Sequence, residues 1–177
     1  MAYQFILFEI DQGVARVTLN RPDVLNSIHT AMSGEIRDAL ARAAGEREIR
    51  AVLLTGTGRG FCAGQDLDEV RPGASAGDFA AHVRTVYNPL VRALRALEKP
   101  VVCAVNGVAA GAGANLALAC DLVLAAEDAS FVEVFAKIGL VPDTGGSFFL
   151  PRLVGMARAT ALTMLAEKVT AQRAVEI

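Results

Sequence analysis

From Val101 to Cys120 the chain runs for twenty residues without a charged side chain. A run of that length can become a membrane-spanning helix or a segment buried inside a folded core. Asn106, Asn115, three glycines (Gly107, Gly111, Gly113) and many weakly apolar alanines oppose the span. The run also changes character midway. Val101–Val105 reads as a buried strand and Ala112–Cys120 as a short helix. The expected outcome is the interior of an α/β protein, with no membrane segment.

Composition narrows this further. A length of 177 residues suits a single domain, expected over residues 1–177. The net charge of -2, with no basic cluster, disfavours a nucleic-acid partner, because phosphate contacts need grouped Lys and Arg. Trp is absent and aromatics are 6%, so Ala, Val and Leu are expected to build the core. Cys62, Cys103 and Cys120 are odd in number and form no Cys-x-x-Cys pair, which disfavours a disulfide framework or a zinc ribbon. Residues 1–10 show no signal-peptide pattern, and a cytoplasmic, reducing location is expected.

Strands alternate with helices along the chain. Ile6–Ile10 and Val14–Leu19 flank Asp11-Gln12-Gly13 as a hairpin. Ile28, Met32, Ile36, Leu40 and Ala44 form a helical stripe that Gly45 ends. Ala51–Thr55 is a buried strand running into the glycine-rich loop 56–60. Residues 71–77 are polar, rich in Gly and Ser, and read as a mobile loop. Phe79, Val83, Val86, Leu90, Leu94 and Leu97 form a second stripe, which Pro89 should kink or restart. Leu122–Ala126 is a strand and Ser130–Glu133 a short one. Helices are expected near Phe148–Leu153 and Arg158–Ala166, and from the Thr170 cap onward. No regular repeat of sequence is visible.

Two loops follow the buried strands: Phe61–Leu67 and Asn106–Asn115. Their small residues admit close backbone approach, and two converging N–H groups would form an oxyanion hole. Tight packing of helix on sheet also demands Gly and Ala, and for either loop alone packing is the simpler account. Asp143, in Pro142-Asp143-Thr144-Gly145-Gly146, reads first as a turn residue. The apolar residues around it would raise its pKa and suit it to proton transfer. Gly58-Arg59-Gly60-Phe61-Cys62-Ala63 fits a dinucleotide fingerprint loosely, but it leads into Gln65-Asp66 and not into an apolar helix. His82 reads as a partly exposed helix residue. A Cys62–His82 thiol–imidazole pair has no support in spacing.

Together these motifs resemble the enoyl-CoA hydratase/isomerase (crotonase) superfamily. The resemblance rests on Leu19–Ser27, Gly60–Leu67, Lys99–Gly107, Cys120-Asp121 and Gly139–Gly146, in that order over nearly the whole chain. It implies an α/β spiral of ββα units assembled as homotrimers or dimers of trimers. It implies an acyl-CoA thioester substrate, with coenzyme A part of the substrate and no separate cofactor or metal. At matching positions the oxyanion donors would be the N–H groups of Gln65 and Ala112. Ala63, Gly64, Asp66, Leu67, Gly111, Asn115 and Phe135 would contact CoA or substrate.

Hydratases of the superfamily use two glutamates to activate water. The matching positions here are Asn115 and Phe135, neither of which can act as a base. Asp143 matches the position where several isomerases carry their single acid/base, and the sequence is most similar to the branch that isomerises ring-epoxide and enoyl thioesters. Alternatives are an enoyl-CoA hydratase, a non-catalytic acyl-CoA-binding subunit, and a thiol hydrolase using Cys62. Members of the superfamily generally continue into C-terminal helices that build the trimer, so the resemblance implies a chain truncated before that segment.

Overall fold

The computed structural model describes residues 3–69 and 79–177. The expectation of a mobile loop at residues 71–77 lies outside the described residues.

Among the described residues nine strands form two sheets. The larger contains β1 (Ile6–Asp11), β2 (Val14–Leu19), β3 (Ala51–Gly56), β5 (Val101–Val105) and β7 (Leu122–Ala125), in the order β1-β2-β3-β5-β7. The smaller contains β4 (Gly60–Cys62), β6 (Val108–Ala110), β8 (Ser130–Val132) and β9 (Val169–Thr170), in the order β4-β6-β8-β9. Among the described residues only the β1–β2 and β8–β9 pairs are antiparallel. The chain visits the sheets alternately: β3 then β4, β5 then β6, β7 then β8. Each ββ step thus adds one strand to each sheet. This is the ββα spiral, repeated in structure although no repeat shows in sequence.

The charge-free run divides as its composition requires. β5 alternates buried and half-buried residues, β6 follows after the Asn106-Gly107 turn, and α4 (Ala112–Leu118) is buried almost throughout. Among the described residues no helix is long and apolar enough to cross a membrane.

α1 (Thr30–Gly45) buries Met32, Ile36, Ala39, Leu40 and Ala43 against the larger sheet. Two members of the expected stripe differ. Ile28 is fully buried but precedes the helix, and Ala44 is exposed because the buried face passes through Ala43. His29 caps the helix, its Nδ1 accepting from Met32 N at 3.0 Å. The second stripe forms α2 (Phe79–His82), a π-helical turn (Val83–Tyr87) and α3 (Asn88–Ala96). Pro89 is accommodated without a break. The wider turn pairs Asn88 N with Val83 O, and Pro89 then falls in the first turn of α3, where its missing N–H is harmless.

α5 (Gly146–Val154), α6 (Met156–Leu165) and α7 (Ala171–Glu176) follow, and Thr170 Oγ1 accepts from Arg173 N as the cap of α7. The core is rich in Ala, Val, Leu and Ile, as the composition suggests, but Phe61 and Tyr87 are also completely buried at its centre.

Candidate active site

β4 and β6 lie side by side and parallel, with Cys62 opposite Ala109. The loops leaving their C-terminal ends therefore emerge together. Gly64 is where they touch. Its φ is +93°, and a Cβ there would stand 2.7 Å from the Ala110 carbonyl oxygen and 3.3 Å from the Ala112 nitrogen. Gly111, at φ +53°, turns the second loop into α4, whose first residue is Ala112. The opening N–H groups of a helix have no intrahelical acceptor, so Ala112 N–H is a free donor by position.

The first loop is clamped on both sides of Gln65. Ala63 N donates to Leu25 O at 2.9 Å, Ile28 N to Gly64 O at 2.7 Å, and Asp66 N to Ile28 O at 2.9 Å. The Gln65 side chain is also held: Nε2 donates to Asp66 O at 2.8 Å, and Oε1 meets His82 Nε2 at 2.8 Å. Since Oε1 can only accept, this pairing puts the imidazole proton on Nε2. Asp66 forms a 2.8 Å ion pair with Arg21, which also donates to Ser27 O. Burial pushes the Asp66 carboxyl up, but Arg21 and the Asp68 N–H together hold it below the usual carboxylate range. Leu67 is exposed at the start of a 3-10 turn.

Asp143 occupies a turn in which Thr144 and Gly145 both take left-handed conformations. Thr144 Oγ1 donates to Asp143 Oδ1 at 2.7 Å. The Asp143 carbonyl accepts from Gly146 N at 2.8 Å and from Asn115 Nδ2 at 3.0 Å. Asn115 is fully buried on α4, so the short helix that begins with Ala112 also fixes the turn carrying Asp143. Burial pushes the Asp143 carboxyl above its ordinary range, against the Thr144 hydrogen bond and the positive charge His82 can carry. Phe135 is buried beside Gly111, its Cζ 3.7 Å from where a Gly111 Cβ would stand.

The structure thus joins Ala63, Gly64 and Gln65 to Gly111 and Ala112, and joins Asn115 to Asp143. Leu67 stands apart on the surface. His82 corrects the sequence reading: it is buried, not partly exposed, and its ring faces Gln65 and stacks edge-on against Tyr87. The helical spacing Phe79, His82, Val86 carried that signal, since His82 falls on the apolar stripe. The sequence reading also missed Glu133. It is a lone charge between Phe131-Val132 and Val134-Phe135, it is buried, and its Oε2 lies 3.4 Å from Asn115 Nδ2. Burial, and then the charge of Asp143, push its carboxyl up to about 7, against the Asn115 hydrogen bond.

Cys62 is fully buried, and burial pushes its thiol to about 12, against a backbone hydrogen bond at Gly64. That is far too high for a thiolate nucleophile, and His82 Nε2 is engaged with Gln65. Among the described residues no three His, Cys, Asp or Glu side chains are placed to hold a metal ion.

The Enoyl-CoA hydratase/isomerase family profile matches residues 9–177, and the chain belongs to that family. It is 51% identical over 175 residues to the 1,2-epoxyphenylacetyl-CoA isomerase of Escherichia coli K12, covering 98% of this chain and 67% of that protein. It is 49% identical over 178 residues to a Rhodobacter capsulatus protein named "Probable enoyl-CoA hydratase", covering 100% of this chain and 67% of the relative. The crystal structure of enoyl-CoA hydratase from Bacillus anthracis superposes with a TM-score of 0.92 at 35% identity, over 98% of this chain and 67% of that one. The chain therefore spans about two thirds of the length of these relatives.

Proposed function

We propose that the chain carries the active site of an acyl-CoA isomerase that moves a proton, and with it a double bond, in an enoyl-CoA or epoxyphenylacetyl-CoA thioester. The thioester carbonyl accepts from the N–H groups of Gln65 and Ala112. Ala63 and Asp66 lie near the CoA portion, and Gly64, Leu67, Gly111, Asn115 and Phe135 complete the contacts to CoA or substrate. Ionised Asp143 takes a proton from the γ carbon of an enoyl thioester. The C–H electron pair shifts toward the carbonyl, and the charge collects on an oxygen faced by two N–H donors. Each such donor is worth about 2.7–4 kcal/mol in comparable sites. Asp143 then returns the proton to the α carbon. Coenzyme A enters as part of the substrate.

The observation that carries this reading is the half-buried carboxylate of Asp143, on a turn whose Asp143 carbonyl is held by Asn115 from the same helix that begins at Ala112. A carboxyl raised by burial is a stronger base than one in water and suits reversible proton transfer. The isomerase named among the relatives supports the same choice. Asp143→Asn should lower the interconversion of 2-enoyl-CoA and 3-enoyl-CoA by about 10²–10⁴-fold in either direction, with the melting temperature little changed. Full activity in that variant would overturn the proposal.

A hydratase is the second reading. It draws on the hydratase names among the relatives and on Glu133, a second buried carboxyl near Asp143. Hydration of crotonyl-CoA that depends on Glu133 would favour it.

A further inference from the structure

Asn115 is fully buried, yet its Oδ1 accepts no hydrogen bond among the described residues. Its Nδ2 by contrast serves two acceptors, the Asp143 carbonyl at 3.0 Å and Glu133 Oε2 at 3.4 Å. An amide with a crowded donor and an orphaned acceptor is missing a donor.

Glu133 can supply it. The residue follows β8 and is only 5% exposed. It borders a groove of about 830 Å³ whose other charged lining residues are Asp121, Glu127 and Glu167. Among the described residues lining the groove none is Lys or Arg. Asp121 is already paired with Arg95, and the charge that acts on Glu133 is that of Asp143, which raises its carboxyl further and is itself subject to His82. An ionised Glu133 would therefore be a desolvated anion among carboxylates, with no cation lining its groove and only the 3.4 Å bond from Asn115 Nδ2 to favour its charge. A protonated Glu133 removes the charge and adds one O–H.

We propose that Glu133 is a neutral positioning acid: its carboxyl O–H donates to Asn115 Oδ1 while Asn115 Nδ2 donates back to the other carboxyl oxygen, and this two-point pair holds the turn that carries Asp143. A carboxylic acid and a primary amide each present one donor and one acceptor on the paired edge. The second Nδ2 hydrogen remains on the Asp143 carbonyl. The pairing stands on the Asn115 and Glu133 geometry, whereas its consequence for turnover rests on the proposed role of Asp143.

The upward push on the Glu133 carboxyl, to about 7, gives the direction of the test. A carboxyl whose folded value is raised binds its proton more tightly in the native state. Its contribution is fully present below the ordinary glutamate range and is lost as pH rises through about 7. Gln at this position offers the same donor and acceptor without titrating. Thermal unfolding of wild type and Glu133→Gln should match at about pH 4, and the variant should melt several degrees higher at about pH 8. Parallel curves across that range would overturn the proposal.

Should the variant not fold, carbon-13 NMR of wild type labelled at the glutamate carboxyls gives an independent reading. One carboxyl titrating near neutrality supports the pair, and all of them titrating in the ordinary range overturns it. Neither measurement needs substrate, so an inactive chain that shows the titration would sink only the isomerase reading. In an active chain, kcat should fall on the alkaline side in wild type and stay level in Glu133→Gln, with KM unchanged. An identical alkaline limb in both would overturn the positioning role.

Discussion

The two sheets differ in what they demand of their residues. Strands of the larger sheet are four to six residues long, and the central ones, β2, β3 and β5, fill the core with alternating apolar side chains such as Ala15, Val17 and Leu19 or Val101, Cys103 and Val105. Strands of the smaller sheet are two or three residues long. Its contacts are made by backbone: Gly64 against Ala110 and Ala112, and Gly113 against Cys62. Side-chain burial therefore holds the first sheet, and close main-chain approach shapes the second. The candidate site grows from the second, where two loops must meet to within a fraction of an ångström.

Leu54→Ala should show the largest effect if this division holds. Leu54 is 2% exposed and sits between Val17 and Cys103 across neighbouring strands. Its truncation is expected to lower unfolding free energy by about 2–5 kcal/mol, read from the denaturant midpoint, while activity per folded molecule persists. Gly64→Ala should do the reverse. The left-handed backbone alone costs about 1–2 kcal/mol, but the new Cβ must push the Ala110–Ala112 segment aside, and a displacement of ~1 Å at a reacting site can lower turnover about 10²-fold. A Gly64→Ala protein that is fully active and as unstable as Leu54→Ala would break the comparison.

Arg21→Met probes the seam between the sheets, where Arg21 reaches from the segment after β2 to Asp66 in the site loop. The expected loss is about 1.5–3 kcal/mol at neutral pH, the range for a hydrogen bond to a charged partner. Because Arg21 helps hold the Asp66 carboxyl low, this contribution is present above the ordinary aspartate range and disappears as pH falls through the lowered value. Melting curves of wild type and variant should therefore converge on acidification. A gap that stays constant to low pH would show that Arg21 acts through packing on Phe5 and not through Asp66.

The same contrast explains what could be read from the sequence. The β1–β2 hairpin, β5 and α1 are long enough for periodicity to register, and the structure places them within a residue or two of the expected bounds. β4 and β6 were not legible, because three residues such as Gly60-Phe61-Cys62 hold no period. Asp143 was legible as a turn residue with apolar neighbours. Its anchoring to Asn115, 28 residues away, was not, since only the spiral brings α4 to that turn. Glu133 was missed for a related reason: it lies in an apolar stretch where a lone polar residue has no local partner to announce it, whereas the burial of His82 was legible in its place on the apolar stripe.

The smallest expected effect lies at the end of the smaller sheet. Thr170 closes β9 and caps α7 through a 3.2 Å bond from Arg173 N. Thr170→Ala should remove about 1 kcal/mol of local stability. α7 keeps Ala171 buried but leaves Val175 89% exposed, so little tertiary packing compensates for a lost cap. Hydrogen exchange should therefore quicken for the amides of α7 while those of β1–β3 stay as protected as in wild type. Because β9 pairs with β8, next to Glu133, loosening at Thr170 should also speed exchange at the Ser130–Val132 amides before any change reaches the larger sheet. Equal acceleration in both sheets would mean that they open as one cooperative unit, and the division drawn between them would then hold for shape but not for stability.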